Sequence, residues 1–152
     1  MNDMNPMDVL LGIEGVKRAK AEYFRCVDGQ HWGELAAVFT DAPVIDMRES
    51  VEPHDPALLH HDAAVFAQGV AHVLAGVTTA HFGYMPRIDI LSPNRAEAIW
   101  SMEDWLWIPE GHAILPPGRL HGWGHYADRY EKTGDRWRIA ASRLTRIRLE
   151  HR

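Results

Sequence analysis

The sequence predicts an α+β domain in which N-terminal helices pack on one face of a strongly curved, mixed or antiparallel β-sheet. Three observations predict this class. Helical periodicity is found in the first half of the chain. Strand-like segments follow one another in the second half, and the turns between them are short and rich in Pro, Gly, Asn and Asp. Helices on a curved sheet enclose a cone, and its interior suits a small-molecule pocket.

Three helices are predicted before residue 77. Apolar residues recur with helical spacing from Pro6 to Asp28, and charged residues such as Lys20 lie between them. A short second helix covers residues 31–39. The third covers residues 61–76, with an aspartate near its start and a glycine at its end, which are the residues preferred at helix termini.

The first strand is predicted at residues 41–47, where Pro43 breaks the preceding helix, and residues 48–60 are interpreted as a loop. The later strands are joined by short turns, apart from the longer connection at residues 109–119. They are predicted at residues 77–85, 87–91, 96–108, 120–132 and 136–149.

Composition limits the class of protein. The chain has 152 residues, of which 46% are hydrophobic and 24% charged, so we expect one soluble globular domain at residues 1–152. No apolar run reaches the roughly 20 residues of a membrane span, and the first residues do not resemble a secretory signal, so we expect a cytoplasmic protein without a membrane role. A net charge of -5 argues against nucleic-acid binding. The single cysteine, Cys26, is expected to be a small buried hydrophobe.

Alternation along the strands brings a set of polar residues toward the cone. Asp104 shares a strand face with Trp100 and Met102, and a carboxylate in apolar surroundings needs a partner or a proton. His81 lies on the same face as Thr79, in the middle of its predicted strand. The candidate catalytic residues are Tyr23, Asp28, His81, Asp104 and Arg146.

These residue types suit proton transfer next to a carbonyl group. A histidine can accept the proton, a carboxylate can orient it, and a tyrosine can donate a hydrogen bond to the enolate. Structural roles stay open: His81 as a hydrogen-bonded core residue, Tyr23 as a packed ring, Asp28 as a helix-end residue, and Arg146 as the neutralising partner of Asp104. No metal site is expected, because the histidines are in a solvated loop or too far apart along a strand.

Four segments together resemble the SnoaL-like branch of the nuclear transport factor 2-like superfamily. They are "RAKAEYFRCVDGQHWGEL", "VFTDAPVID", "TAHFGYMPRIDILSPNRAEAIWSMED" and "HYADRYEKTGDRWRI". Within that branch, "YFRCVDG", "HFGYMP" and "TRIRLEH" are similar to segments of bile acid 7α-dehydratases and related steroid dehydratases. The resemblance implies catalytic or substrate-contacting roles at the five candidate positions. We also expect substrate contacts from Trp100, Met102, Phe82 and Tyr84.

The resemblance implies a lyase, because scytalone dehydratase and a lindane dehydrochlorinase share the superfamily. We expect a cofactor-independent dehydratase acting on a small, apolar, polycyclic or aromatic carbonyl compound such as a steroid. Which of Asp28 and Asp104 orients His81 stays open. So do ketone isomerisation, dehydrohalogenation and polyketide cyclisation, and a rival class, a non-catalytic binding or scaffolding module. A sheet face carrying Trp105 and Trp107 predicts a homodimer or homotrimer.

Overall fold

The computed structural model describes residues 4–152. Within these residues, three α-helices, two short 3-10 helices and six strands follow one another. They are α1 (Pro6–Asp28), α2 (Trp32–Leu35), a 3-10 helix (Ala36–Val38), β1 (Phe39–Asp46), a 3-10 helix (Pro56–Leu58), β2 (Leu59–His60), α3 (Ala63–Val73), β3 (Thr78–Ser92), β4 (Arg95–Ile108), β5 (Gly118–Thr133) and β6 (Arg136–His151).

The six strands form one curved sheet in the order β2-β1-β6-β5-β4-β3. β1 runs parallel to β6, and every other neighbouring pair is antiparallel. The predicted α+β class is confirmed, with helices first and a mixed sheet after them. The sheet is not closed into a barrel, so its inner face remains open to be covered by helices.

Helix α1 covers the inner face of the sheet. It begins where the Asn5 side chain accepts a hydrogen bond from the Met7 backbone N–H, with Pro6 in the first turn. Its buried stripe includes Val16, Tyr23 and Cys26. Full burial of Cys26 agrees with the expectation of a small buried hydrophobe. The helix therefore brings one row of side chains into the space above the sheet.

Two details of the strands differ from the sequence prediction. Residues 77–85 and 87–91 were predicted as two strands, but they form the single strand β3, which bends at a bulge between Tyr84 and Arg87. A bulge adds a residue without ending the pairing, so the proline after Met85 does not terminate the strand. The predicted loop at residues 48–60 also contains β2, which pairs with β1.

Alternate residues of the strands face opposite sides of the sheet. The inner side carries the helices and the core, whereas the outer side exposes apolar side chains that include Phe82, Tyr84, Ile99 and Trp107. The homodimer or homotrimer expected from this face stays a prediction. No helix within residues 4–152 is both long enough and apolar enough to span a bilayer.

Candidate active site

A histidine on the inner face of β3 is held by an aspartate at the end of α1. His81 Nδ1 lies 2.6 Å from Asp28 Oδ1, and the His81 backbone N–H donates to Asp28 Oδ2 at 2.8 Å. The Thr79 hydroxyl also donates to Asp28 Oδ1, at 2.9 Å. Three contacts therefore fix the carboxylate, and it in turn fixes the imidazole. Asp28, and not Asp104, is the aspartate that orients the histidine ring.

The hydrogen bond to Asp28 determines which nitrogen of His81 is basic. Because a carboxylate accepts hydrogen bonds, Nδ1 carries the proton, and Nε2 of the neutral ring keeps a free lone pair. The ring of Phe24 stacks on the imidazole, with centroids 6.2 Å apart and planes at 15°. The side chain is 10% exposed. This arrangement gives a base of fixed orientation in a largely dry setting.

Nε2 of His81 faces a second, differently bound aspartate. Asp104 Oδ2 lies 4.0 Å from His81 Nε2, which is too long for a direct hydrogen bond. Both oxygens of Asp104 accept from Arg146, at 2.7 and 2.9 Å, in a bidentate pair. Arg146 therefore neutralises Asp104, which is one of the roles that the sequence leaves open for it. It also donates through Nε to the Ser50 carbonyl at 3.1 Å, which ties the loop after β1 to the site.

A glycine on β5 makes room for this ion pair. Gly122 pairs with Asp104 across the β4–β5 ladder. A Cβ added at Gly122 would lie 2.3 Å from Arg146 Nη1 and 2.5 Å from Asp104 Oδ1. Any side chain at this position would overlap the pair. The glycine at position 122 of β5 is therefore required by the geometry of the site.

Tyr23 enters the same space from the last two turns of α1. It is 5% exposed, and its ring meets Phe39 and Tyr126 edge-on, with centroids 6.0 and 6.1 Å away. Burial is the largest cause that raises the pKa of Tyr23, and the charges of Asp128, Asp104 and Asp28 raise it further. The phenol is therefore a neutral hydrogen-bond donor at physiological pH.

The end of α1 explains how Tyr23 and Asp28 reach one region. Residues five apart on an ideal helix point about 140° away from each other, so the two side chains cannot reach one region from the same helix face. The backbone is helical through Asp28, and Gly29 keeps a right-handed φ of -83°. Asp28 is the last helical residue, so its side chain extends from the helix terminus to β3, while Tyr23 points at the sheet from the buried stripe.

The expected substrate contacts separate into two pairs. Trp100 and Met102 lie on the inner face of β4, at 5% and 3% exposure. Met102 Sδ lies 3.7 Å from Arg146 Nη1. Phe82 and Tyr84 lie on the outer face, because they alternate with His81 along β3. Their placement beside the substrate pocket is therefore wrong, and the Tyr84 hydroxyl donates to Glu103 instead.

Three neighbours of the site were not among the candidates. Thr79 bonds Asp28, Phe24 stacks on His81, and Tyr126 packs against Tyr23. The alternation of β3 already put Thr79 on the face of His81, so that signal was present in the sequence. Phe24 and Tyr126 depend on how α1 crosses the sheet, which periodicity along one element does not determine.

The two aspartates of the site differ in exposure. The Asp28 side chain is 29% exposed, whereas that of Asp104 is 4% exposed. Two cavities of about 510 and 540 Å³ lie toward the outer side of the sheet and its β1 edge, and none of the five candidates lines them. The catalytic candidates therefore lie in a tightly covered position, and Asp28 at the end of α1 is more exposed than Asp104.

One group of residues has the spacing of metal ligands. Glu22, Cys26 and Glu34 bring three ligand atoms within 4.8 Å of one another. Arg25 is bonded to both carboxylates, at 2.7 Å for Glu22. Its charge occupies the position that a cation would need, so these residues do not fit a metal ion.

Known proteins share this fold. A family model described as a SnoaL-like domain matches residues 8–143. Among solved structures, a proposed scytalone dehydratase from Novosphingobium aromaticivorans has a TM-score of 0.80 at 16% identity, covering 97% of this chain and 92% of that one. A hexachlorocyclohexane dehydrochlorinase, LinA type 2, has a TM-score of 0.79 at 15% identity, covering 97% and 93%. The β subunit of a proposed aromatic-ring-hydroxylating dioxygenase from N. aromaticivorans has a TM-score of 0.71 at 16% identity, covering 93% of both chains. At these identities the likeness shows the fold.

Proposed function

The chain belongs to the SnoaL-like domain family, and on that premise we propose that it is a cofactor-independent dehydratase. This lyase would remove water from a small, apolar carbonyl compound such as a steroid or an aromatic polyketide. The observation that carries the proposal is the Asp28–His81 pair, at 2.6 Å, whose free Nε2 points into the space next to Asp104. A base held in one tautomer beside a buried carboxylate suits proton abstraction.

The reaction proceeds in two proton transfers. His81 Nε2 takes a proton from the carbon next to the substrate carbonyl, and the C–H electrons move to the carbonyl oxygen to form an enolate. Tyr23 donates a hydrogen bond to that oxygen, and Asp28 stabilises the imidazolium. The enolate then re-forms the carbonyl, the C–O bond to the β-hydroxyl breaks, and the imidazolium returns its proton to the departing oxygen as water.

The charges of the site favour a neutral substrate. Arg146 is bound bidentately to Asp104, so its guanidinium is not free to receive a substrate carboxylate or phosphate. Asp28 adds a further negative charge. The surrounding side chains, among them Phe24, Trp100 and Met102, are apolar. An uncharged, ring-containing ketone is therefore favoured over an anionic substrate.

The names of two similar structures support an elimination. A scytalone dehydratase and a hexachlorocyclohexane dehydrochlorinase are both named for removing a small molecule from their substrates. Elimination begins with the proton transfer that we assign to His81. Ketone isomerisation, dehydrohalogenation and polyketide cyclisation begin with the same step, so they are the enzymatic alternatives to the proposed dehydration.

A non-catalytic module is the second candidate. Two structural features favour it: His81 and Asp104 are largely buried, and the two cavities lie away from His81. The β subunit of a proposed dioxygenase is also among the similar structures. In that case Asp104 and Arg146 would be a structural ion pair. Ligand binding separates the two candidates, because a filled cone would not admit a polycyclic ketone.

The test is a thermal-shift screen of wild type and His81→Ala against 3-keto steroids, aromatic polyketides and their hydroxylated forms. Each stabilising compound is then followed for loss of water by mass spectrometry. We expect both proteins to be stabilised by the same compounds, with water loss only in wild type. A His81→Ala variant that keeps most of the wild-type turnover would refute the assignment, and no stabilisation across the panel would favour the binding module.

A further inference from the structure

A third cavity lies on the outer face of the sheet, behind the rung that pairs Asp104 with Gly122. Its volume of about 350 Å³ is near the lower end of the range for small-molecule sites. Trp105 and His121 alternate with Asp104 and Gly122 along β4 and β5, so their rings point away from His81. We call this cavity the outer pocket, and its lining residues are Trp105, Arg119, His121, Trp123, Glu150 and Arg152.

The wall of the outer pocket is made of stacked rings. The centre of the Trp105 ring is 3.3 Å from that of the His121 imidazole, with planes at 20°, and the Trp123 ring is 3.7 Å from the same imidazole at 45°. Trp107 extends the wall, 5.9 Å from Trp105 at 13°. Flat rings in such an arrangement offer their faces to another flat ring. The wall therefore favours a planar aromatic ligand over an aliphatic one.

A carboxylate behind the wall fixes these rings. Glu103 Oε1 accepts a hydrogen bond from His121 Nε2 at 2.7 Å and another from the indole N–H of Trp105 at 3.2 Å. Its second oxygen accepts from the Tyr84 hydroxyl at 2.9 Å. Three donors thus satisfy Glu103, so it is not available to a cationic ligand. The bonds also hold the wall in one arrangement, which reduces the cost of ordering it when a ligand binds.

The free charge at the outer pocket is positive. Glu150 is already bonded to Arg148 Nε at 2.6 Å and to Arg152 Nη2 at 3.2 Å. Arg119 is exposed, and no carboxylate side chain of residues 4–152 lies within the 4.0 Å of an ion pair from it. Its guanidinium lies 5.3 Å from the centre of the Trp105 ring instead. A cation without a partner beside an aromatic wall attracts an anion that also carries a ring.

We propose that the outer pocket binds a planar aromatic carboxylate. The ring of the ligand stacks on Trp105 and Trp123, and its carboxylate pairs with Arg119, whose fork of N–H donors matches two carboxylate oxygens. A neutral aromatic compound loses the ion pair, and an aliphatic acid loses the stacking. This site lies on the opposite face of the sheet from His81 and takes a different class of ligand from the uncharged ketone proposed there.

The test is calorimetric titration of the protein with 2-naphthoate and with its neutral analogue 2-naphthamide. We expect wild type to bind 2-naphthoate about tenfold more tightly than the amide, because a hydrogen-bonded charge pair is lost in the amide. Arg119→Gln should weaken 2-naphthoate about tenfold and leave 2-naphthamide unchanged. Raising the salt concentration should reduce the difference between the two ligands in wild type.

Two further variants separate charge from stacking. Arg129→Gln is the matched control, because Arg129 is an exposed arginine on the same face of β5 that lines the other two cavities and not the outer pocket. It should bind 2-naphthoate as wild type does. Trp123→Leu should weaken 2-naphthoate and 2-naphthamide by the same factor, since it removes stacking and leaves Arg119 in place. Circular dichroism checks that each variant is folded.

Several results would overturn the inference. One is equal affinity of wild type for the acid and the amide, and another is an unchanged affinity for 2-naphthoate in Arg119→Gln. Loss of 2-naphthoate binding in His81→Ala would place the probe in the proposed active site. A second copy seated on this face would exclude the probe, so no binding to wild type also refutes the outer pocket. None of these titrations measures water loss from a ketone, so the proposed dehydratase is tested separately.

Discussion

At the scale of single residues, the main result is the division of labour between two aspartates. Asp28 bonds His81 Nδ1 directly, whereas Asp104 is 4.0 Å from Nε2 and bound to Arg146. One carboxylate therefore orients the base, and the other borders the space where a substrate proton would lie. The two are not interchangeable, although their distances along the sequence from His81 give no indication of this.

The role of Asp28 is tested by Asp28→Asn. The amide keeps an acceptor for Thr79 but cannot stabilise an imidazolium by charge, so we expect kcat to fall about 10²–10⁴-fold with little change in folding. Turnover and melting temperature are measured together. Asp89→Asn is the matched control, because Asp89 lies on the outer face of β3 and pairs with Arg87 at 3.1 Å. Equal losses in the two variants would contradict the assignment.

The residues that sequence could predict are those whose chemistry and strand face agree. His81, Asp104 and Arg146 share the inner face, and alternation along three strands places them there. Phe82 and Tyr84 alternate with His81 along β3, so they lie on the outer face and not beside the site. The partner of His81 was not predictable, because it depends on where α1 ends above β3.

At the scale of elements, the site depends on the space that β5 leaves. Helix α1, β3, β4 and β6 each contribute a functional side chain, whereas β5 contributes an empty position at Gly122. The sequence predicts the glycines of β5 as part of a strand but does not show that one faces an ion pair. That information requires the register between β4 and β5.

Gly122→Ala tests this dependence. The added methyl group would overlap Asp104 and Arg146, so we expect the variant to be destabilised by about 1–3 kcal/mol and to lose most of its activity. Chemical denaturation and turnover measure the two effects. Gly69→Ala is the control, since no atom lies within 4 Å of its added Cβ in α3, and it should be stabilised by about 0.5–1 kcal/mol. A fully active Gly122→Ala variant would show that the pair tolerates displacement.

At the scale of the whole molecule, the inner face combines a large apolar core with two buried ionic groups. One group is Asp104 with Arg146, and the other is Lys20 with Asp128. The sequence predicted the α+β class, and it indicated the pairing of Asp104 with Arg146 as one of the open roles. It placed Lys20 among the solvated charges of α1, because charged residues flank it there, whereas the structure buries Lys20 against Asp128. The pattern is misleading at this position because a single polar residue on a buried stripe does not change helical periodicity.

The buried tyrosines predict alkaline destabilisation. Burial raises the pKa values of Tyr23, Tyr126 and Tyr130, so these phenols stay neutral in the folded state when they ionise in the unfolded state. Their stabilisation is complete below the unfolded pKa of about 10 and is lost as pH rises above it, by about 1.4 kcal/mol per pH unit for each group. Burial lowers the pKa of Lys20, so this residue makes the free energy of unfolding rise with pH below its ordinary pKa of 10.5.

Denaturant unfolding at a series of pH values from 8 to about 11.5 measures this loss. Tyr130→Phe should reduce the slope of the free energy of unfolding against pH by about 1.4 kcal/mol per pH unit above pH 10. An unchanged slope in this variant would mean that the phenol ionises equally in both states.

The most direct measurement of the central claim is deuterium exchange next to the carbonyl of a bound ketone in heavy water. Exchange reports proton abstraction whichever group later departs, so it does not depend on identifying the natural leaving group. The account predicts that wild type incorporates deuterium into a ketone that stabilises it, and that His81→Ala binds the same ketone without exchange. Exchange at the wild-type rate in His81→Ala, or none in wild type with a bound ketone, would contradict it.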